Sequence, residues 1–161
     1  MPLTSESKPE KFKAFFIDVG LCQKVLGFEW NAQILSKVTP QHRGNLAEQL
    51  VAQELIATTP QNESPKLFYW HRESRSAQAE VDFLIETKGT VLPVEVKSGS
   101  KGSLKSLYLF MEEKSSKVGI KISENGFAEQ ALSKKGSKLW EVPFYGISFL
   151  TEGSFRSVGR L

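Results

Sequence analysis

Residues 80 to 97 read Glu80-Val81-Asp82-Phe83-Leu84-Ile85-Glu86-Thr87-Lys88-Gly89-Thr90-Val91-Leu92-Pro93-Val94-Glu95-Val96-Lys97. Apolar and polar residues alternate on both sides of the Lys88-Gly89 pair, the pattern of a β-hairpin closed by a two-residue turn in which Gly89 takes a positive φ. Pairing Thr87 with Thr90 sets Asp82 opposite Glu95 and Glu80 opposite Lys97, and it sends Val81, Phe83, Ile85, Leu92, Val94 and Val96 to the core-facing side. Directly opposed residues have Cβ atoms about 4.5–5.5 Å apart, so Asp82 and Glu95 repel each other unless a cation relieves them. Lys97 follows Glu95 by two positions and points to the same face. Two carboxylates and a lysine on one side of a sheet are the parts of a divalent-metal hydrolytic site, with Asp82 and Glu95 as oxygen ligands for Mg²⁺ or Mn²⁺. The plain alternative is the wet face of a half-exposed hairpin, with Glu80 and Lys97 as an ordinary surface pair.

Around the hairpin the chain reads as one domain. Its 161 residues are 40% hydrophobic and 24% charged, with eleven Phe and three Trp to fill an interior. Residues 1–10 are polar and read as a leader or linker stump, and residues 11–161 as a single domain. The chain has neither an apolar run of membrane-spanning length nor a secretory signal pattern, and the single Cys22 fits a reducing cytoplasm. A net charge of +3 does not by itself imply nucleic acid. Between Lys97 and Lys138, however, nine lysines stand against four glutamates, an excess that can attract phosphates, although lysines on solvated helices and loops are the commoner explanation.

Lys11 to Val19 reads as a Phe-rich strand, followed by a short helix from Leu21 to Leu26 with Asp18 as its cap. Gly44 to Ala57 is the clearest helix, capped by Asn45, with one apolar stripe of Leu46, Leu50 and Ala57 and a second of Ala47, Val51 and Leu55. Glu48 falls at the border of the second stripe, where a carboxylate can reach inward or stay solvated. Strands are expected at Lys66 to Arg72 and Lys117 to Ser123, a helix at Ser103 to Lys114, polar turns at 124–138, and one or two strands in Leu139 to Leu150. Lys101 and Lys105, just past the hinge at 98–102, are placed to hold a phosphate backbone. His42 and His71 read as loop and strand residues. No G-x-x-x-x-G-K-[ST] loop occurs, so the chain has no P-loop for ATP. The core order of helix, three strands, helix, strand indicates an α/β or α+β domain with a mixed sheet flanked by helices.

Glu48 on a helix, Asp82 on the following hairpin and Glu95-Val96-Lys97 on its second arm resemble the PD-(D/E)XK nuclease superfamily over residues 44–123, with an Asp-to-Glu gap like that of junction resolvases. The resemblance implies a restriction-endonuclease-like αβββαβ core, a catalytic set of Glu48, Asp82, Glu95 and Lys97, a further metal ligand from the Val96 carbonyl, and DNA as substrate. A closer likeness runs through Phe15–Leu21, Gly44–Leu55, Leu67–Glu73, Ala79–Glu86, Val91–Gly99 and Trp140–Leu150. These blocks resemble the uncharacterised domain that ends many bacterial and archaeal AAA-type ATPases, which implies an ATPase domain or subunit as partner. Val81 stands where many superfamily members carry proline. Lys105 and Tyr108 stand on the helix where RecB-type enzymes carry Gln and Tyr, so a RecB-like exonuclease is not supported. Three readings stay open: a metal-dependent DNA nuclease, a module that binds nucleic acid or protein without cutting, and a regulatory domain of an ATPase.

Overall fold

The computed structural model describes residues 3–5, 7–27, 39–73, 78–87, 89–99, 102–133 and 136–151. Four helices, α1 (Val19–Val25), α2 (Pro40–Ala57), α3 (Lys105–Glu113) and α4 (Ser148–Thr151), pack against one six-stranded mixed sheet. Its strands are β1 (Phe68–Arg72), β2 (Ala79–Thr87), β3 (Thr90–Val96), β4 (Val118–Ser123), β5 (Ala128–Ala131) and β6 (Lys138–Pro143), in the spatial order β1-β2-β3-β4-β6-β5. β1, β2 and β3 are antiparallel; β4 runs parallel to β3 and β6 parallel to β4; β5 closes the far edge antiparallel to β6. The expected sequence of helix, three strands, helix and strand is therefore the observed one.

Two apolar layers sandwich the sheet. On one side Val51, Ala52 and Leu55 of α2 and Leu150 of α4 meet Phe83, Leu92, Val94, Ile120, Ile122 and Val142. On the other, Leu107, Phe110 and Met111 of α3 meet Val81 and Leu139. Of the two stripes expected on α2, the second is the buried one; Leu46 and Leu50 are half-buried and Ala57 is exposed. The helix also starts earlier than expected, at Pro40, whose fixed φ suits a first helical turn. Its cap is Thr39, whose hydroxyl accepts from the His42 N–H, and not Asn45; His42 lies in this first turn rather than in a loop.

The hairpin has the expected register from Thr87↔Thr90 to Phe83↔Val94, and Gly89 takes a φ of 73°. Phe83, Ile85, Leu92, Val94 and Val96 share one core face as expected, but Val81 does not join them. Phe68 pairs with Leu84 but Trp70 with Val81, so two steps along β1 match three along β2. This β-bulge at Asp82 and Phe83 breaks the alternation. Val81 consequently turns to the α3 layer while Phe83 and Ile85 pack in the α2 layer. A bulge depends on a neighbouring strand that the hairpin's own pattern does not contain.

Lys11 to Phe16 does not form the expected strand. The segment is instead held by glutamine side chains of α2: Gln49 accepts from the Phe16 N–H at 2.9 Å and donates to the Phe16 carbonyl at 2.8 Å, and Gln53 accepts from the Val19 N–H at 2.9 Å. Asp18 caps α1 as expected, accepting from the N–H groups of Gly20 and Leu21. The region expected to be all turns contains β5, fully exposed on the sheet edge, and the last block forms one strand followed by a 3₁₀ turn and α4.

Candidate functional site

The ladder between β2 and β3 stops at Phe83↔Val94, one step short of Asp82 and Glu95. Beyond it the Val96 N–H donates to Asp82 Oδ2 at 2.8 Å, so the Asp82 side chain takes a place a backbone carbonyl would fill in a continuous ladder. The Lys97 N–H bonds the Ile122 carbonyl on the other side, so β3 stays tied to β4 where its ladder to β2 has ended. The bulge and this substitution together hold Asp82 in the gap between the strands.

Glu95, 6% exposed, receives the Lys97 ammonium on Oε1 at 2.7 Å, as their two-residue spacing predicts. Its Oε2 is buried and accepts no hydrogen bond. Gly102 passes directly over the Lys97 stem, where a Cβ would lie 2.6 Å from Cδ, so any larger residue would force the stem or the Gly102 backbone to shift. Burial raises the pKa of Asp82 to about 7, helped by the charges of Glu95 and Glu48 and opposed by the Val96 N–H and Lys13. Burial also raises Glu95, against the hydrogen bond from Lys97. Both shifts mark carboxylates that lack compensation for their charge.

α2 brings Glu48 to this place, as its position at the border of the buried stripe predicts. Glu48, Glu80 and Asp82 each offer a carboxylate oxygen within 4.8 Å of the others'. Glu80 was expected opposite Lys97; it instead faces α2, and Lys97 bonds Glu95. The sequence reading missed a further member altogether. Lys13 Nζ lies 2.7 Å from Glu48 Oε1 and 2.5 Å from Glu80 Oε1, and 5.2 Å from the centre of the Tyr69 ring. No local signal marks Lys13, because its partners are 35 and 67 positions away; for Glu80 the signal was its two-residue spacing from Asp82.

Lys105, the first residue of α3, is exposed, and Lys101 lies outside the described residues. His71 lies on β1 directly opposite Glu80, with Nδ1 3.9 Å from Glu73. On the α3 side of the sheet, a cavity of about 780 Å³ is lined by Trp70, Leu84, Val91, Phe110, Lys11 and Lys114 among others, with no carboxylate among the described lining residues. Among the described residues no helix is long and apolar enough to cross a membrane.

The donor set is all carboxylate oxygen, suited to hard divalent ions such as Mg²⁺ or Mn²⁺. The buried, unpartnered Glu95 Oε2 fits the same purpose, since a buried acceptor left without a donor is costly. A search of the curated proteins gives no match. The family pattern of DUF4143, a domain of unknown function, matches residues 43–145, a stretch that includes Glu48, Glu80, Asp82, Glu95 and Lys97, and the chain belongs to that family.

Proposed function

We propose that this domain is a divalent-metal-dependent nuclease of the PD-(D/E)XK type, hydrolysing phosphodiester bonds of DNA. The observation that carries the reading is the Asp82–Glu95 pair, two acids with raised pKa values at an opened strand gap, with one buried oxygen unpartnered and Lys97 fixed beside it. The αβββαβ order and the approach of Glu48 agree with the restriction-endonuclease-like core that the resemblance implies.

Asp82 and Glu95 would hold Mg²⁺ or Mn²⁺, with Glu48 and Glu80 at its border. The ion supplies Lewis-acid stabilisation of charge on the phosphate. Lys97 orients the attacking water by hydrogen bonding and then offsets charge on the pentavalent phosphate. The Val96 N–H keeps Asp82 oriented, and Glu95 keeps the ammonium of Lys97 in place. Lys105 and the lysines of the adjoining cavity supply sequence-independent attraction for the backbone.

A second reading has its own support. Phe12 (79% exposed), Ile17 (86%), Leu21 and Val25 (68%) present large apolar side chains within a short N-terminal stretch. A face of this kind suits a protein partner, such as an AAA-type ATPase domain or subunit. The deciding experiment offers duplex, single-stranded, flapped and four-way-junction DNA with Mg²⁺ and with Mn²⁺. Cleavage of any form that chelation stops supports the nuclease. Binding without cleavage, or association with an ATPase without either, establishes the non-catalytic reading.

A further inference from the structure

We propose that Lys13 is the resident cation of the carboxylate site, so that a divalent ion binds only by displacing its ammonium. The inference rests on the metal-site reading above and adds a residue from outside the stretch that the family pattern matches. Lys13 Nζ contacts Glu48 and Glu80 at 2.7 and 2.5 Å, and these are two of the three carboxylates whose oxygens lie within 4.8 Å of one another. A divalent ion binds carboxylate oxygen at about 2.0–2.6 Å. An ammonium hydrogen-bonded to Glu48 and Glu80 would lie within a few ångströms of an ion held by the adjacent Asp82, a weakly screened repulsion in a partly buried place. The lysine side chain is only 20% exposed, so bulk water does little to soften that conflict.

The placement of Lys13 is built, not incidental. Gln49, the residue after Glu48, grips both backbone groups of Phe16, and Gln53 one helical turn on grips Val19. One helix thus carries Glu48 and also fixes the strand-like segment that delivers the ammonium to it. The Tyr69 ring face supports the same charge. Meanwhile the oxygen that has no donor, Glu95 Oε2, lies outside the reach of this lysine's two hydrogen bonds and stays available as a first point of attachment.

The two roles that Lys13 can have predict opposite signs. A lysine that merely props up Glu48 and Glu80 would, when removed, loosen the site and weaken ion binding. A competing cation would, when removed, strengthen it. The 161-residue chain and its Lys13→Met and Lys13→Gln variants are titrated with Mn²⁺, without DNA, by the electron paramagnetic resonance of the free ion, and folding is checked by circular dichroism. The expected result is a Kd at least about tenfold lower in both variants, equivalent to about 1.4 kcal/mol. An equal or higher Kd in folded variants overturns the proposal while leaving the metal site standing. No Mn²⁺ binding by any of the three proteins overturns the metal reading and this proposal with it. If the variants do not fold, the wild-type chain decides: its Lys13 Cε resonance is expected to shift in step with Mg²⁺ saturation. A resonance unmoved at saturation overturns the displacement.

Discussion

Asp82 on β2 and Glu141 on β6 are acids of one sheet treated in opposite ways. Glu141 Oε1 accepts from Lys121 Nζ at 2.7 Å, Ser123 Oγ at 2.5 Å and Asn125 Nδ2 at 2.6 Å. Burial alone would raise its pKa, but these three donors outweigh burial and take it down to about 2. Asp82 has one backbone donor, lies beside Glu95, and rises to about 7. Glu141 is thus a finished structural joint tying β4, β6 and the turn after β4. Asp82 is an acid kept short of donors, which is the usual condition of a group that acts on a ligand.

The largest expected effect breaks the comparison at the chemical step. Lys97→Ala should lower DNA cleavage by about 10²–10³-fold, the range for losing one positioned donor to a charged transition state, while Mn²⁺ binding persists. Glu141→Gln should leave cleavage within a few-fold. Equal losses in the two variants, measured at saturating ion, would remove the functional distinction between the two ends of the sheet.

pH should separate them next. Asp82, with a folded pKa of about 7 against an ordinary 3.8, contributes stability that is full below about 3.8 and is lost as pH rises through 7. Glu141 runs the other way: its contribution is full above 4.5 and is lost as pH falls toward 2. In chelator, the protein should therefore lose stability between about pH 4 and pH 7. Asp82→Asn, which keeps an acceptor for the Val96 N–H, should regain on the order of 2–4 kcal/mol at pH 8 and nothing near pH 3, as urea unfolding would read. It should also abolish the stabilisation by Mn²⁺, which for the wild type is about 2.7 kcal/mol at a hundred times Kd. A variant that is less stable than wild type at pH 8 contradicts the view of Asp82 as an uncompensated charge.

The smallest effect tests the structural side. Glu141→Gln should cost about 1–3 kcal/mol at pH 7, since it weakens hydrogen bonds to a charged acceptor, and the cost should vanish as pH falls below the native pKa of Glu141. Thermal melts at pH 7 and pH 3 read its decline, the cost being smaller at pH 3 than at pH 7.

Much of this contrast is legible in the sequence at one end and not at the other. The turn at Gly89 and the spacing of Glu95 and Lys97 set which residues meet across the hairpin and along β3, because both are local and periodic. The spacing of Glu48 from Val51 and Leu55 on α2 placed it beside the core for the same reason. The Glu141 joint went unseen: its donors come from another strand and the turn after it, and a lone glutamate in a strand has no signature. The Lys11–Val19 segment was misread because its Phe-rich composition suits a strand, whereas its backbone partners proved to be the Gln49 and Gln53 side chains.

The sequence by itself determined the core order of helix, three strands, helix and strand, the hairpin register near the turn and the presence of an acidic pair with a lysine, since each follows from short-range periodicity and turn chemistry. Tertiary structure alone decided that β1 forces a bulge at Asp82, that Val81 and Phe83 face opposite layers, and that Glu80 joins Glu48 while Lys13 stands between them. Those outcomes depend on which distant segments come to lie side by side, and the energies that choose among them are sums over the whole packed sheet rather than properties of any one stretch.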